Sequence, residues 1–470
     1  MSWTRNVTFG LVFAACGVFA QTPATLVRLN VAAVDSNGEP VLDLKASDFQ
    51  IADQGKAQKI AFFQLNGASM APGPKEFSNR AGKPPHTTVI LFDLLNEVQS
   101  DQLATWHLLG KSLQQLESGE GLYFYVLTME GNLQAIHGIS KGADDDKTWT
   151  QSFEKTLDKA MKGDIHARPA QMNDNEMVVK KTYVALETLA NQMLQFPGRR
   201  DIIWVTSNMP YVWNPKLPCN GDNVDCALYV PHLAVTLATA NVAVNPATYT
   251  VNPNANMARE AEEFAGMNGG WAYTGQDIRA VLKEVTRDAT HNYSIAYETP
   301  ADSWDSKFHK VRVTCERKGL KIRTRQRYYA FPDTRDRNQR NLLVLKAAFQ
   351  GVGDDRSIGL RAMLAPGADP KAVKVQFRID PSSLMLTESA GSYTGSVTYL
   401  VADMGASGPM GDPMISTLPI SLTKDQYASA LKEGIPLSQD HALNDAVQGL
   451  RIIVLDPNLN VAGSLTIPAR

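Results

Sequence analysis

Four short runs of uninterrupted apolar residues, Val89–Phe92, Tyr123–Leu127, Ile202–Val205 and Val242–Val244, set the architecture of the middle of this chain. A strand with one face in water alternates apolar and polar side chains. These runs do not alternate, so both of their faces must be covered. Between them, Leu103, Trp106, Leu109, Leu113 and Leu116 keep helical spacing, as do Leu186, Leu189, Ala190, Met193 and Leu194. Buried strands alternating with amphipathic helices predict a doubly wound parallel sheet over residues 87–290. Sheets of that kind gather ligands outside the carboxyl ends of their strands. Asp93 ends the first run and leads into Leu94-Leu95-Asn96-Glu97, while Thr206-Ser207-Asn208-Met209 follows the third. The candidate binding set is therefore Asp93, Asn96, Glu97, Ser207 and Asn208.

Both flanks have the period of half-buried strands. Val27, Leu29, Val31 and Ala33 alternate with Arg28, Asn30 and Ala32, and Leu44, Phe49, Ile51, Ile60 and Phe62 follow. Tyr293, Ile295, Tyr297, Val311, Val313 and Ile322 repeat the pattern after residue 290. Neither flank alone has strands enough to cover a hydrophobic face. Segments 21–66 and 291–331 are therefore expected to share one β-module, with 87–290 inserted between them. Residues 67–86 are poor in large apolar groups and read as a linker. So does the charged stretch 332–340. Residues 341–470 alternate again, most clearly at Val373, Val375, Phe377 and Ile379. Thr423 with Gln426 forms a capping box for a short helix through Leu431. The expected class is α/β plus β: a Rossmann-like doubly wound domain inserted in an N-terminal β-module, followed by a C-terminal Ig-like β-sandwich.

At 470 residues, 44% apolar and 20% charged, the chain is an ordered protein of several domains. A net charge of -2 gives no electrostatic reason to expect nucleic acid. Arg5 followed by the apolar Val7–Ala20 reads as a signal peptide over 1–20, cut before Gln21. Lipidation at Cys16, after Ala14-Ala15, is the alternative. No later stretch is apolar enough to span a bilayer, so the expected location is secreted or periplasmic. In an oxidising compartment, Cys219 and Cys226, bracketing a polar turn-forming loop, favour a disulfide over two free thiols. Cys315 reads as a buried thiol.

Several of these segments resemble the secreted bacterial VWFA-related proteins, which carry a von Willebrand factor A (VWA) domain. Val34-Asp35-Ser36-Asn37-Gly38-Glu39-Pro40-Val41, running on to Leu44 and Asp48-Phe49, is similar to that family's opening β-module. Pro197-Gly198-Arg199-Arg200-Asp201-Ile202-Ile203-Trp204 resembles its strand-entry motif, and Ala240–Pro246 its next strand. Phe308–Val313, Gly319–Arg323 and Tyr328-Tyr329-Ala330 match the motif that closes the common region. The likeness covers residues 26–331.

The resemblance implies a Mg²⁺ adhesion site built on Asp-x-Ser-x-Ser, a threonine and a second aspartate. Asp93 stands at the first ligand. Leu95 and Glu97 occupy the serine positions, Thr182 aligns loosely with the threonine, and Asn208 replaces the second aspartate. One carboxylate and one amide make a poor octahedral Mg²⁺ site. The expected cofactor is therefore none, with Mg²⁺ the weaker option. No nucleophile elbow, phosphate loop or His-Glu-x-x-His occurs. The leading expectation is a non-enzymatic protein that binds an unknown protein partner without metal. The alternatives are Mg²⁺-dependent adhesion through a rebuilt site, or a hydrolase using Asp93 and Glu97 as paired carboxylates. Arg323, Arg325 and Arg327, alternating with Ile322, Thr324 and Gln326, read as the solvated basic face of an edge strand.

Overall fold

The computed structural model describes residues 25–68, 70–82, 84–96, 99–114, 121–139, 149, 175–209, 226–248, 255–275, 277–367, 369 and 372–469. The chain opens with strands β1 (Thr25–Val34), β2 (Phe49–Asp53), β3 (Lys56–Gln58), β4 (Ile60–Leu65) and the two-residue β5 (Phe77–Ser78). A six-stranded sheet comes next. Its strands are β6 (Thr87–Asp93), β7 (Leu122–Leu127), β8 (Leu133–His137), β9 (Arg200–Val205), β10 (Val242–Thr248) and β11 (Tyr273–Thr274). Its order is β11-β10-β9-β6-β7-β8; β8 pairs antiparallel with β7, and all the other pairings are parallel. The helices that accompany it are α1 (Gln99–Gln114), α2 (Asn175–Met193), α3 (Cys226–Thr239), α4 (Ala255–Asn268) and α5 (Ile278–Thr290).

Side chains of β6 alternate between two cores. Val89 and Leu91 pack with Leu186, Leu189, Leu233, Leu237 and Phe264 from α2, α3 and α4. Ile90 and Phe92 pack with Leu109, Leu113, Ile278, Val281 and Val285 from α1 and α5. Each such side chain contributes about 1.5–3 kcal/mol by leaving water, so β6 is apolar without a break from Val89 to Phe92.

Strands β12 (Tyr293–Thr299), β13 (Phe308–Cys315), β14 (Lys321–Arg323) and β15 (Arg327–Tyr329) then return to the beginning of the chain. β1 pairs with β12, setting Leu29 opposite Ile295 and Val31 opposite Tyr293, and β13 pairs with β2. The two resulting sheets, β14-β1-β12-β4 and β15-β13-β2-β3, share one core that includes Val27, Phe49, Ile51, Tyr297 and Val311. Cys315 is a half-buried free thiol in β13, not a fully buried one.

The rest is α6 (Arg337–Gln350), β16 (Leu360–Pro366), β17 (Ala372–Ile379), β18 (Thr387–Ser389), β19 (Ser392–Gly405), β20 (Gly408–Met410), β21 (Ser416–Thr423), α7 (Lys424–Glu433), β22 (Ile435–Ala442), β23 (Gly449–Asp456) and β24 (Val461–Pro468). The sheet β22-β17-β16-β5 meets a second sheet built on β18-β19-β23-β24 across Leu360, Val375, Phe377, Val397, Ile452 and Leu465. Residues 67–86, expected as a linker, supply β5, which pairs with β16. Asn79 holds this segment in place. Its amide donates to the carbonyls of Asp355 (2.8 Å), Ile358 (2.8 Å) and Ser464 (3.2 Å), and its oxygen accepts from Leu360 N–H (2.8 Å). Helix α6 begins at Arg337, inside the stretch expected as a charged linker, because Asp336 and Gln339 form a capping box.

The class expected from the sequence is corrected. Among the described residues strand makes up 41% and helix 26%, with seven helices and five sheets, so they are mostly β, and a Rossmann-like doubly wound VWA domain is not evident. The apolar runs build one mixed sheet among five. The alternating segments on either side build the other four, all antiparallel, and these dominate the chain.

Candidate functional site

The alternation that buries Val89 and Leu91 also points Asp93 toward α2 and β9. Its carboxylate is fully buried, so it needs donors from the protein. Oδ1 accepts the backbone N–H of Asn96 at 3.0 Å, the local turn that short acidic side chains favour. Oδ2 accepts the Asn96 side-chain amide at 2.7 Å and the Trp204 indole N–H at 2.7 Å. Asn96 also donates to the Thr182 hydroxyl at 2.9 Å, and Thr182 donates to the carbonyl of Val178, one turn earlier in α2, at 2.9 Å. One carboxylate thus ties together the end of β6, the loop after it, strand β9 and helix α2. Trp204 is held from its other side by Phe264, edge to face with centroids 5.4 Å apart.

Burial pushes the Asp93 carboxyl up to about 6, and the bonds from Asn96 and Trp204 pull it partly back. The residues do not fit a bound cation. An indole N–H and an amide N–H converge on Oδ2, where a cation would have to sit, and neither is an electron-pair donor. Leu95 packs against the apolar core beside α2 and α3. Among the described residues no group of three or more His, Cys, Asp or Glu could hold a metal ion.

No family model matches the chain, and no curated protein matches it.

The other candidates fall unevenly around this centre. Asn96 is buried in it and Ser207 is buried. Asn208 is exposed, in a loop closed by Thr206, whose hydroxyl donates to the Asn208 carbonyl (2.8 Å) and accepts its N–H (3.3 Å). Glu97, Cys219 and residues 1–20, with Cys16, lie outside the described residues; Cys226 begins α3. Of the residues that build the centre, Trp204 is the one that reasoning from sequence missed. A tryptophan in a fully buried strand must find an acceptor for its N–H, and Asp93, on the neighbouring strand, is the acceptor in reach.

Arg323, Arg325 and Arg327 do not form one basic face. Strands β14 and β15 end and begin between them, so the alternation is interrupted. Arg323 is buried, donating to Asp288 at 2.9 Å and Glu284 at 2.8 Å on α5, and it lies over the Trp271 ring. It joins the six-stranded unit to the β-module.

Proposed function

We propose that this chain is a secreted or periplasmic, non-enzymatic protein-binding protein that works without metal. Its binding surface lies at the carboxyl end of the six-stranded sheet, around Asn208 and the outer side of α2. The observation that carries this reading is the engagement of Asp93: both oxygens accept hydrogen bonds inside the fold and the group is fully buried, so it does not face a substrate or ion in solvent. Such a centre stiffens the loops it joins and offers no chemistry to solvent. Two exposed apolar side chains, Met177 and Val184, stand on the helix that carries Thr182. They are seven residues apart and so share a face, and apolar groups on a rigid face suit a protein partner. The likeness to VWFA-related proteins supports the same reading. No helix among the described residues is long and apolar enough to cross a membrane.

The test is capture of extracellular and envelope proteins from the source cell by immobilised chain lacking residues 1–20, repeated in EDTA and in Mg²⁺. Equal affinity for the captured partner in both, weakened by Val184→Asp, is the expected result. Affinity that collapses in EDTA and returns with Mg²⁺ overturns the proposal.

A further inference from the structure

The C-terminal sheet carries a cleft lined by opposed arginines, independent of the surface proposed above. The pairing of β16 with β17 sets Arg361 directly opposite Arg378. Like charges at opposed positions on neighbouring strands repel, and natural sheets avoid them. The protein supplies little to offset this. Arg361 donates to the Glu433 carbonyl at 2.7 Å, and Arg378 donates to the same oxygen at 3.3 Å. The nearest carboxylate, Glu76, lies 3.6 Å from Arg361. Arg378 has no carboxylate within ion-pair distance among the described residues, and the Nε of Arg361 is buried with no hydrogen-bond partner. Capping the C-terminus of α7 at Glu433 needs one arginine, and Arg361 makes the shorter bond.

Both guanidinium groups line a cleft of about 340 Å³ over the outer face of β16, β17 and β22. It meets a second cleft, of about 540 Å³, at Arg361, where Arg80 and Lys432 add positive charge and Asp380 negative. Arg80 is already paired with Asp380 at 2.7 Å and Arg361 lies 3.6 Å from Glu76, so Arg378 and Lys432 are the cations of this surface that no described carboxylate pairs. Planar guanidinium forks match carboxylates in paired hydrogen bonds.

We propose that this cleft binds an acidic segment of a partner protein, with side-chain carboxylates seated between Arg361 and Arg378. A peptide fits better than a small anion because the cleft runs across three neighbouring strands, β16, β17 and β22, and is longer than one carboxylate.

The test uses the full chain and hexaglutamate peptide, titrated at low and at high salt. Binding that falls with salt, shifts the Nε–H resonances of both Arg361 and Arg378, and weakens about tenfold or more in Arg378→Ala supports the proposal. Arg378→Lys, which keeps the charge and the stem without the fork, is expected between the two. No binding at low salt, unmoved arginine resonances, or equal affinity in Arg378→Ala overturns it. Inorganic tripolyphosphate binding as tightly as the peptide overturns the peptide assignment. The resonance shifts are read on the unsubstituted protein, so the test holds even if a variant fails to fold.

Discussion

Replacing Asp93 by Asn tests the buried carboxylate directly. In the folded chain its proton is held up to about pH 6, against 3.8 for the ordinary group. Below pH 3.8 both folded and unfolded chains carry the proton. As pH rises, the unfolded chain releases it first, so the folded state loses stability until the folded group also ionises, near pH 6. A gap of about two units corresponds to about 3 kcal/mol across the whole window, with about 2 kcal/mol of that lost between pH 4.5 and 7.5. Asn cannot ionise, so Asp93→Asn removes this slope. It also turns one amide N–H toward a donor that Asp93 had accepted, at a cost of about 1–3 kcal/mol. The variant is therefore less stable than the natural chain at pH 4.5, and its deficit shrinks by about 2 kcal/mol at pH 7.5. Urea titrations read by hydrogen exchange on the peptides of β6 and β9 isolate this unit from the β-sandwich. A deficit equal at both pH values shows that Asp93 does not titrate in the window. A deficit that grows with pH shows a carboxylate stabilised in its charged form, as a cation would do. Either result refutes the reasoning.

Two further substitutions probe neighbouring contacts. Trp204→Phe keeps most of the ring packing but removes one donor from Asp93 Oδ2. We expect a loss of about 1–3 kcal/mol at pH 7.5 and a smaller loss at pH 4.5, measured by the same titration, because the ionised group suffers more from losing a donor. Arg323→Met leaves Asp288 and Glu284 without their cation at the joint between α5 and β14. Removing one side of a buried ion pair costs about 3–5 kcal/mol, so a clear fall in the thermal transition is expected, and an unchanged transition argues that the pair is solvated.

Patterns confined to one element were legible in the sequence. The apolar runs become β6, β7, β9 and β10, because a strand buried on both faces favours apolar side chains and admits a polar one only where the fold supplies it a partner. The Thr423 and Gln426 capping box starts α7, with Thr423 accepting Gln426 N–H at 3.3 Å and Gln426 accepting Thr423 N–H at 2.9 Å. The alternating flanks become antiparallel strands, and their number outweighs the central sheet, which is why a class inferred from the centre missed the whole. What could not be read depends on contacts between distant segments. β5 is two residues long and carries no period; Phe77 and Ser78 are strand only because β16 lies beside them. Arg323 looked like a solvated charge because Asp288 and Glu284 are far from it on the linear pattern.

Asp93 shows how one residue can mark a place in the fold without revealing its use. The strand end it occupies follows from the apolar run before it. Whether an acidic group there holds an ion depends on what neighbouring elements aim at it. A ligand set needs lone pairs converging from Ser, Thr or Asp, whereas Trp204 and Asn96 bring N–H groups. Donors and a carboxylate satisfy one another, so the centre closes on itself and fixes β6, β9 and α2 as one rigid edge. The same logic, reversed, applies to Arg361 and Arg378. There the like charges face each other with too few acceptors between them, and the surface stays open to an anion from outside. Recognition in this chain is therefore better sought where hydrogen-bonding capacity is left over than where an acidic residue merely sits at a strand end.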